Sequence, residues 1–298
     1  KEDQTELLAG TKCVLLLGQP ASQLWLQNND NTIGEIRGTI SEYRGVSAIS
    51  SFFPQDAVDI KDFESTHNPI HNGAEAQDDR EDLQEDSLAE KRRHGRTKRS
   101  NYRFWLMKDL EKCKYLIQNN GRIPARKFEP EYIIYPQLEV AINELLSHKN
   151  EFLYIDLETD CEWNIQCFSF SFSSNNFCFV CPVLSYDYKV AYSGYHRLLR
   201  ALAIAIRDNT IVSHNGAGFD WIVLCWKYHI PIYKCYDTMV AHHRCYPEIE
   251  KSLGHYTSLW TWEPFHKDEG GGGYNSYDQM KDLMNYCGKD VYTMRLGH

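Results

Sequence analysis

One short stretch of the sequence, FLYIDLE at positions 152–158, constrains the fold more than any other. Its apolar residues are typical of a strand buried inside a sheet, and two acids, Asp156 and Glu158, interrupt them. Because alternate side chains of a strand share a face, both carboxylates should project from the same face. A buried charge is costly unless it is paired or bound to a metal ion. The stretch therefore predicts a sheet that holds two neighbouring acids at the C-terminal end of one strand.

The segments around this strand predict an α/β fold. QCFSFSFSS (166–174) alternates apolar and polar residues as a half-buried strand does, and FCFVCPVL (177–184) predicts another strand after a short turn. The remaining predicted elements are helices over 136–148, 194–208 and 219–229 and a strand over 210–215. Three strands in hairpin order followed by helix–strand–helix units give a mixed sheet flanked by helices.

Composition narrows the function classes. A chain of 298 residues with 42% hydrophobic and 24% charged residues is typical of a soluble globular protein with one large or two ordinary domains. No stretch reaches 18 consecutive apolar residues, so we expect no membrane span. The net charge of −9 argues against a nucleic-acid binder that relies on a broad basic surface. A polyanionic partner would need locally placed cations or bound metal.

The N-terminal part predicts a smaller α/β segment followed by a charged insert. It contains a strand over 12–18, a short helix over 21–29 and a second strand over 46–52. Residues 75–99 carry eight acids and then KRRHGRTKR, with almost no apolar residues, which predicts a mobile insert. Its basic run is either a solvated loop or a nucleic-acid contact or localisation signal. After it, 102–118 predicts a strand that passes into a helix.

The ten cysteines do not indicate a disulfide framework, because the chain is long enough to build its own core. The sequence shows no signal peptide, and we expect a reducing, cytoplasmic compartment. Cys178 and Cys181 have the spacing of zinc ligands, but they lie in an apolar predicted strand, and no second pair follows at the spacing of a zinc finger. The prediction for this pair is buried thiols.

Further acids follow the strand in a fixed order. Asp220 comes after SHNGAGF at the start of a predicted helix, where capping that helix is the structural alternative. Asp290 lies in a predicted helix, and Tyr286, four residues earlier, shares its face. Each position alone is a weak signal. The order D-x-E-T, then N-x-x-x-F-D, then Y-x-x-x-D is specific.

IDLET (155–159), HNGAGFD (214–220) and YCGKD (286–290) resemble, in this order, the three motifs of the DEDD superfamily of 3′–5′ exonucleases, in the subgroup with Tyr in the third motif. The resemblance implies a ribonuclease H-like mixed sheet flanked by helices. It also implies a metal-dependent 3′–5′ exodeoxyribonuclease, a phosphodiester hydrolase. The catalytic residues that it implies are Asp156, Glu158, Asp220, Tyr286 and Asp290.

Four carboxylates suit a pair of divalent metal ions. Hard oxygen ligands favour Mg²⁺ or Mn²⁺, and two ions about 3.5–4 Å apart clamp the attacking and leaving oxygens of a phosphodiester. In the resemblance, Asp156 bridges both ions, Glu158 and Asp290 complete one site, and Asp220 helps to hold the other. Tyr286 orients the attacking water, with an ordinary half-buried helix tyrosine as the alternative.

The resemblance also implies three substrate contacts. Thr159 and Asn215 match positions that contact the terminal nucleotide, and Phe219 matches one that packs near the site. Phe219 is equally explained as the first core residue of its helix.

A finer resemblance lies in residues 236–269, which are similar to the proofreading domain of phage-type family A DNA polymerases. It implies that the partners are a single-stranded or frayed 3′ end of DNA and the polymerase domain of the same, longer chain. Lys267 is a candidate contact to the DNA backbone. We expect a monomer without a membrane partner, located in the cytoplasm of a bacterial host if it is phage-encoded.

Residues 14–58 resemble the C-terminal half of a family 4/5-type uracil-DNA glycosylase. Where those enzymes have a strand ending in H-P-S, this chain reads Phe52-Phe53-Pro54-Gln55, so the histidine is missing. We expect a module that has lost base excision and is structural or tracks DNA; any small α/β piece is the alternative. The predicted domains are 1–74 (glycosylase-like segment), 75–100 (charged insert) and 101–298 (exonuclease).

Two other functions fit the same residues. An RNase D-like exoribonuclease shares the four acids, although the pattern in 237–269 favours DNA. A non-catalytic scaffold domain of a DNA polymerase is the second alternative. Retention of all four acids together with Tyr286 argues against it.

Overall fold

The chain folds as two units, Lys1–Ile123 and Pro124–His298. The computed structural model describes residues 8–27, 32–43, 45–54, 102–126, 129–267 and 274–298. The predicted insert at 75–100 and most of the glycine-rich run at 269–276 lie outside these residues.

The first unit contains a three-stranded sheet of order β1-β3-β2, in which β1 is parallel and β2 antiparallel to β3. Its elements are β1 (Cys13–Leu17), α1 (Gly18–Leu26), α2 (Ile33–Ile36), β2 (Ile40–Tyr43), β3 (Val46–Ser51) and α3 (102–118). The predicted strands at 12–18 and 46–52 are confirmed. The prediction that 102–118 begins as a strand is wrong, because its buried residues recur at helical spacing: Trp105, Asp109, Cys113 and Leu116.

A buried ion pair explains why α3 belongs to the first unit, although the predicted exonuclease domain began at residue 101. The Arg37 guanidinium donates to the Asp109 carboxylate at 2.5 Å and 3.3 Å, and the Ser51 hydroxyl donates to it at 2.6 Å. The Arg37 and Asp109 side chains are 1% and 0% exposed. The Arg37 guanidinium also lies 3.9 Å from the centre of the Trp105 ring.

We expect Asp109→Asn to lower the free energy of unfolding by about 3–5 kcal/mol, because it leaves the buried Arg37 charge without its anion. Urea unfolding followed by circular dichroism measures the change. The matched control is Lys108→Ala in the exposed Lys108–Glu111 pair of the same helix, which should cost less than about 1 kcal/mol. Equal effects of the two substitutions would contradict this assignment.

The second unit contains a six-stranded mixed sheet of order β4-β7-β6-β5-β8-β9. Its elements are β4 (Glu131–Ile134), α4 (Leu138–Ser147), β5 (Phe152–Thr159), β6 (Ile165–Phe172), β7 (Phe177–Pro182), α5 (Tyr195–Asp208), β8 (Thr210–Ser213), α6 (Asp220–Ile222) with a following π-helical turn (Val223–Lys227), β9 (Cys235–Asp237), α7 (Thr238–Cys245), α8 (Leu253–Trp260) and α9 (Tyr277–Gly297). Strand β6 is antiparallel to β5 and β7, and the other pairs are parallel. This confirms the predicted ribonuclease H-like class, a mixed sheet flanked by helices. None of the helices among the described residues combines the length and the apolar character that a bilayer crossing requires.

Helices cover both faces of strand β6, so the prediction of a half-buried strand is wrong. Phe168, Phe170 and Phe172 point into the core that α4 and α5 cover. The serines between them face α9, and the Ser169 hydroxyl donates to the Cys287 carbonyl of that helix at 2.7 Å. In the sequence these serines look like the solvent-exposed side of a strand. Their hydroxyls can be buried because they form hydrogen bonds inside the protein.

The two cysteines with zinc-like spacing are buried thiols, as predicted. Residues three apart on a strand point to opposite faces, so Cys178 and Cys181 of β7 lie in different apolar clusters. Burial raises the pKa of Cys178 to about 12 and that of Cys181 well above its usual value. Both therefore stay protonated at neutral pH, which does not suit zinc.

Candidate active site

Asp156 and Glu158 share one face of β5, as predicted. Asp156 lies opposite Ser169 of β6 and Glu158 lies opposite Cys167, which places both acids on the face that α9 covers. Ligand atoms of Asp156, Glu158 and Cys287, the last on α9, lie within 4.8 Å of one another. The strand alternation that buries apolar side chains on one face therefore delivers two carboxylates to the other.

Asp220 joins these acids through the backbone of β5. Strand β8 pairs with β5 only over 152–154, which leaves the later N–H groups on that side without a strand partner. The Asp220 Oδ1 atom accepts a hydrogen bond from the Leu157 N–H at 2.9 Å. Phe219 is the N-cap of helix α6, and Asp220 is the first residue of that helix. Asp220 therefore does not cap the helix, which was the structural alternative.

A buried carboxylate shapes the turn before Asp220. Asp237 accepts hydrogen bonds from the N–H groups of Asn215 at 3.1 Å, Ala217 at 3.0 Å and Met239 at 2.9 Å. A Cβ atom on Gly218 would lie 2.5 Å from the Asn215 side-chain oxygen, so a larger residue there would displace the Asn215 side chain. That Asp237 supports the site was not predicted from the sequence. In the sequence Asp237 is recognisable only as the N-cap of a helix.

Asp290 and Tyr286 of α9 share one cation, which confirms that they lie on the same helix face. Asp290 is 3% exposed; its Oδ1 atom accepts from His266 Nε2 at 2.8 Å and its Oδ2 atom accepts from Lys267 Nζ at 2.5 Å. Lys267 Nζ also donates to the Tyr286 hydroxyl at 2.5 Å. His266 was missed, and Lys267, a candidate DNA contact, turns inward to the site.

Three of the four acids resist ionisation. Burial, followed by the negative charges of Asp290, Asp220 and Glu158, raises the pKa of Asp156 well above its usual value. Burial and the charge of Asp290 raise the pKa of Glu158 to about 8, and burial raises the pKa of Asp220 to about 7. These mutual effects place the four carboxyl groups within electrostatic reach of one another.

Asp290 is the exception. Burial alone would raise its pKa, but the hydrogen bond from His266 and the charge of Lys267 lower it below its usual value. Within the described part of the chain, Asp290 therefore has ion-pair partners, whereas no salt bridge involves Asp156, Glu158 or Asp220.

The acids fit a hard divalent cation. Asp156 Oδ2 is buried without a hydrogen-bond partner among the described residues, and such an orphan oxygen is a natural ligand. A cation would also offset the burial and the repulsion that raise the pKa values of Asp156, Glu158 and Asp220. Cys287 does not fit such an ion, because its thiol donates to Ser169 Oγ at 3.2 Å and burial raises its pKa. Asp290 would have to share its carboxylate with Lys267.

A cleft of about 970 Å³ extends from Glu158 and Thr159 along the end of the sheet. Thr159 is the one predicted substrate contact among its lining residues. Phe219 packs partly buried against the core, and the Asn215 side chain lies against Gly218. The substrate roles of these residues stay predictions.

No protein-family model matches the chain, and no curated protein matches it. Three similar solved structures are the Nibbler EXO domain of Aedes aegypti (10% identity, 57% of this chain, 90% of that chain, TM-score 0.41), Escherichia coli RNase D, an exoribonuclease (13%, 55%, 42%, 0.42), and an EXD2 exonuclease domain soaked in Mn and GMP (16%, 55%, 85%, 0.27). Likenesses of this size carry no argument about activity.

We expect the metal-free protein to lose stability as the pH rises from about 5 to about 8. Unfolded Asp and Glu titrate near pH 4, whereas folded Glu158 and Asp220 hold their protons to about 8 and about 7. Between these pKa values the folded state binds more protons than the unfolded state, so the free energy of unfolding falls as the pH rises. Asp290, with its lowered pKa, acts in the opposite direction only at lower pH.

Urea unfolding in EDTA at several pH values measures this slope. Glu158→Gln removes one of the titrating groups, so its stability should fall less steeply with pH than that of the wild type. A wild-type slope equal to that of the variant would contradict the raised pKa of Glu158.

Proposed function

We propose that this chain is a metal-dependent 3′–5′ exonuclease of the DEDD type that releases nucleotides from DNA 3′ ends. The observation that carries the proposal is the meeting of Asp156, Glu158 and Asp220 at one end of β5, on the face where α9 presents Asp290. Four carboxylates from three separated segments are more than a structural role requires, since their repulsion costs stability.

In this function Asp156, Glu158 and Asp220 would hold the metal, and Asp290 would contribute by dividing its carboxylate between the metal and Lys267. When bound, two Mg²⁺ or Mn²⁺ ions supply Lewis-acid assistance to the attack of water and to the departure of the 3′ oxygen. We propose that two ions bind.

Tyr286 acts as a hydrogen-bond donor and not as a base. Burial and the charge of Asp290 raise its pKa, so the phenol stays protonated at neutral pH. Because Lys267 donates to the phenol oxygen, the phenol proton is free to point at the attacking water or at a phosphate oxygen. Lys267 thereby positions both Tyr286 and Asp290.

We also propose that the substrate is DNA and that the partner is a polymerase domain of the same chain. Their support is the sequence pattern of 236–269. We further propose that the chain works as a monomer in the cytoplasm, and that residues 1–74 form a glycosylase-like module without base-excision activity. Comparing single-stranded DNA with RNA of the same sequence decides between the exodeoxyribonuclease and the RNase D-like alternative.

We expect Asp156→Ala and Glu158→Ala each to lower nucleotide release from a labelled single strand by more than about a hundredfold, because each removes a metal ligand. EDTA should abolish release by the wild type. Asp282→Asn, which alters an exposed acid on the same helix as Asp290, is the matched control and should retain activity. Full activity of the wild type in EDTA would exclude the proposed function.

Lys267→Met should tighten Mn²⁺ binding while it slows turnover by about 10- to 100-fold. The substitution frees Asp290 Oδ2 for the metal, and it removes the group that holds the Tyr286 hydroxyl. Calorimetry measures the first effect and single-turnover kinetics the second. Lys281→Met, at an exposed lysine of α9, controls for the lost charge. Identical behaviour of the two variants would show that Lys267 has no positioning role.

A further inference from the structure

A row of aromatic side chains leads outward from the acids. The Trp163 ring lies 6.1 Å from the Phe219 ring and 6.3 Å from the Trp226 ring, measured between ring centres. Trp226 is 75% exposed and Trp163 is 37% exposed. We call these three residues the aromatic row. Exposing two neighbouring tryptophans is costly and indicates a surface that binds something.

The turn that carries Trp163 is fixed. Trp163 has a φ of 66°, a left-handed conformation that bulky residues rarely adopt. The Asp160 carboxylate holds the turn by accepting from the N–H groups of Glu162 at 2.9 Å and Asn164 at 2.8 Å. It also accepts from the Asn164 side chain at 2.7 Å. The turn thus tolerates local strain in order to present an indole ring.

The turn is also tied to the helical segment that carries Trp226. Lys227 Nζ donates to the Glu162 carbonyl, and the Ile165 N–H donates to the Tyr228 hydroxyl at 2.7 Å. The two indoles therefore sit on elements that cannot move independently. A preformed surface of this kind loses little conformational entropy on binding.

The elements that carry the aromatic row border the proposed catalytic site. Phe219, the inner member of the row, directly precedes Asp220. The cleft that begins at Glu158 is lined by Lys227 and Tyr228, the residues that tie the two indole-bearing elements together. Asp160, Glu162 and Asn164 of the Trp163 turn also line this cleft, whereas none of the three rings is among its lining residues. A chain-like substrate whose end lies at the acids would therefore pass beside the two elements that carry the indoles.

The chemistry of the row selects the ligand. The chain has a net charge of −9, and Asp160 and Glu162 lie in the Trp163 turn, so attraction of a polyanion by charge is weak here. Stacking of bases on aromatic rings needs no charge and tolerates any sequence. We propose that the aromatic row stacks the unpaired bases next to the 3′-terminal nucleotide of a single-stranded nucleic acid. This inference rests on the proposed function, since the acids define where the 3′ end lies.

The test measures binding of a labelled single strand whose last linkages resist hydrolysis, using the wild-type chain with Mn²⁺ and fluorescence anisotropy. Trp226→Ala should weaken binding about tenfold, the loss expected for one stacked base. Trp226→Phe, which keeps an aromatic face, should recover most of the affinity. Tyr233→Ala, at another exposed aromatic residue (62% exposed), is the control and should bind as the wild type does.

A second strand, without bases at the two positions before the terminal nucleotide, separates stacking from a structural effect. It should bind the wild type at least as weakly as Trp226→Ala binds the intact strand, and Trp226→Ala should cause no further loss on it. The same loss on both strands would overturn the inference. So would equal affinity of wild type and Trp226→Ala for the intact strand, as expected if the row instead receives a protein. Nucleotide release by the wild type from an unmodified strand tests the proposed function separately.

Discussion

Repulsion among buried carboxylates at the end of β5 is the constraint on which the rest of the site depends. Two of the acids have partners that offset the repulsion: Asp220 accepts from the Leu157 N–H, and Asp290 from His266 and Lys267. Asp156 keeps a buried oxygen without a partner among the described residues. A fold selected for stability alone would gain by replacing such groups with apolar ones. Their retention is understandable if a divalent cation completes the set.

The topology of the sheet brings this cluster about. Because β6 runs antiparallel beside β5, the register sets Asp156 and Glu158 over Ser169 and Cys167, on the face that α9 covers. Because β8 stops pairing early, a backbone N–H of β5 is left for Asp220. The short strand β8 and the covering helix α9 thus determine which acids meet, and local sequence preferences do not. This strand and this helix bring acids more than 60 residues apart in the chain into one electrostatic unit.

Sequence patterns predicted the features that depend only on neighbouring residues. The strand at 152–158, the shared face of its two acids and the buried thiols of β7 follow from side-chain alternation and apolar content. The second buried face of β6 does not, because hydrogen-bonded serines look like exposed ones in a sequence. His266 and Lys267 reach Asp290 across more than 20 residues, through packing that carries no periodic signal. The edge strands β4 and β9, of four and three residues, are too short to show a pattern.

An acidic exonuclease must bind nucleic acid without a broad basic surface. The interactions that replace such a surface affect whether it selects paired or unpaired 3′ ends. Under the proposed function, the metal, Lys267 and the cleft residue Lys227 supply the charge attraction, and stacking on the aromatic row adds to it. In a paired duplex each base is already stacked and hydrogen-bonded, so presenting it to Trp163 and Trp226 first costs the energy of unpairing. An already frayed or single-stranded end avoids that cost. Discrimination in favour of unpaired 3′ ends then follows from the way the strand is held, before any chemistry begins.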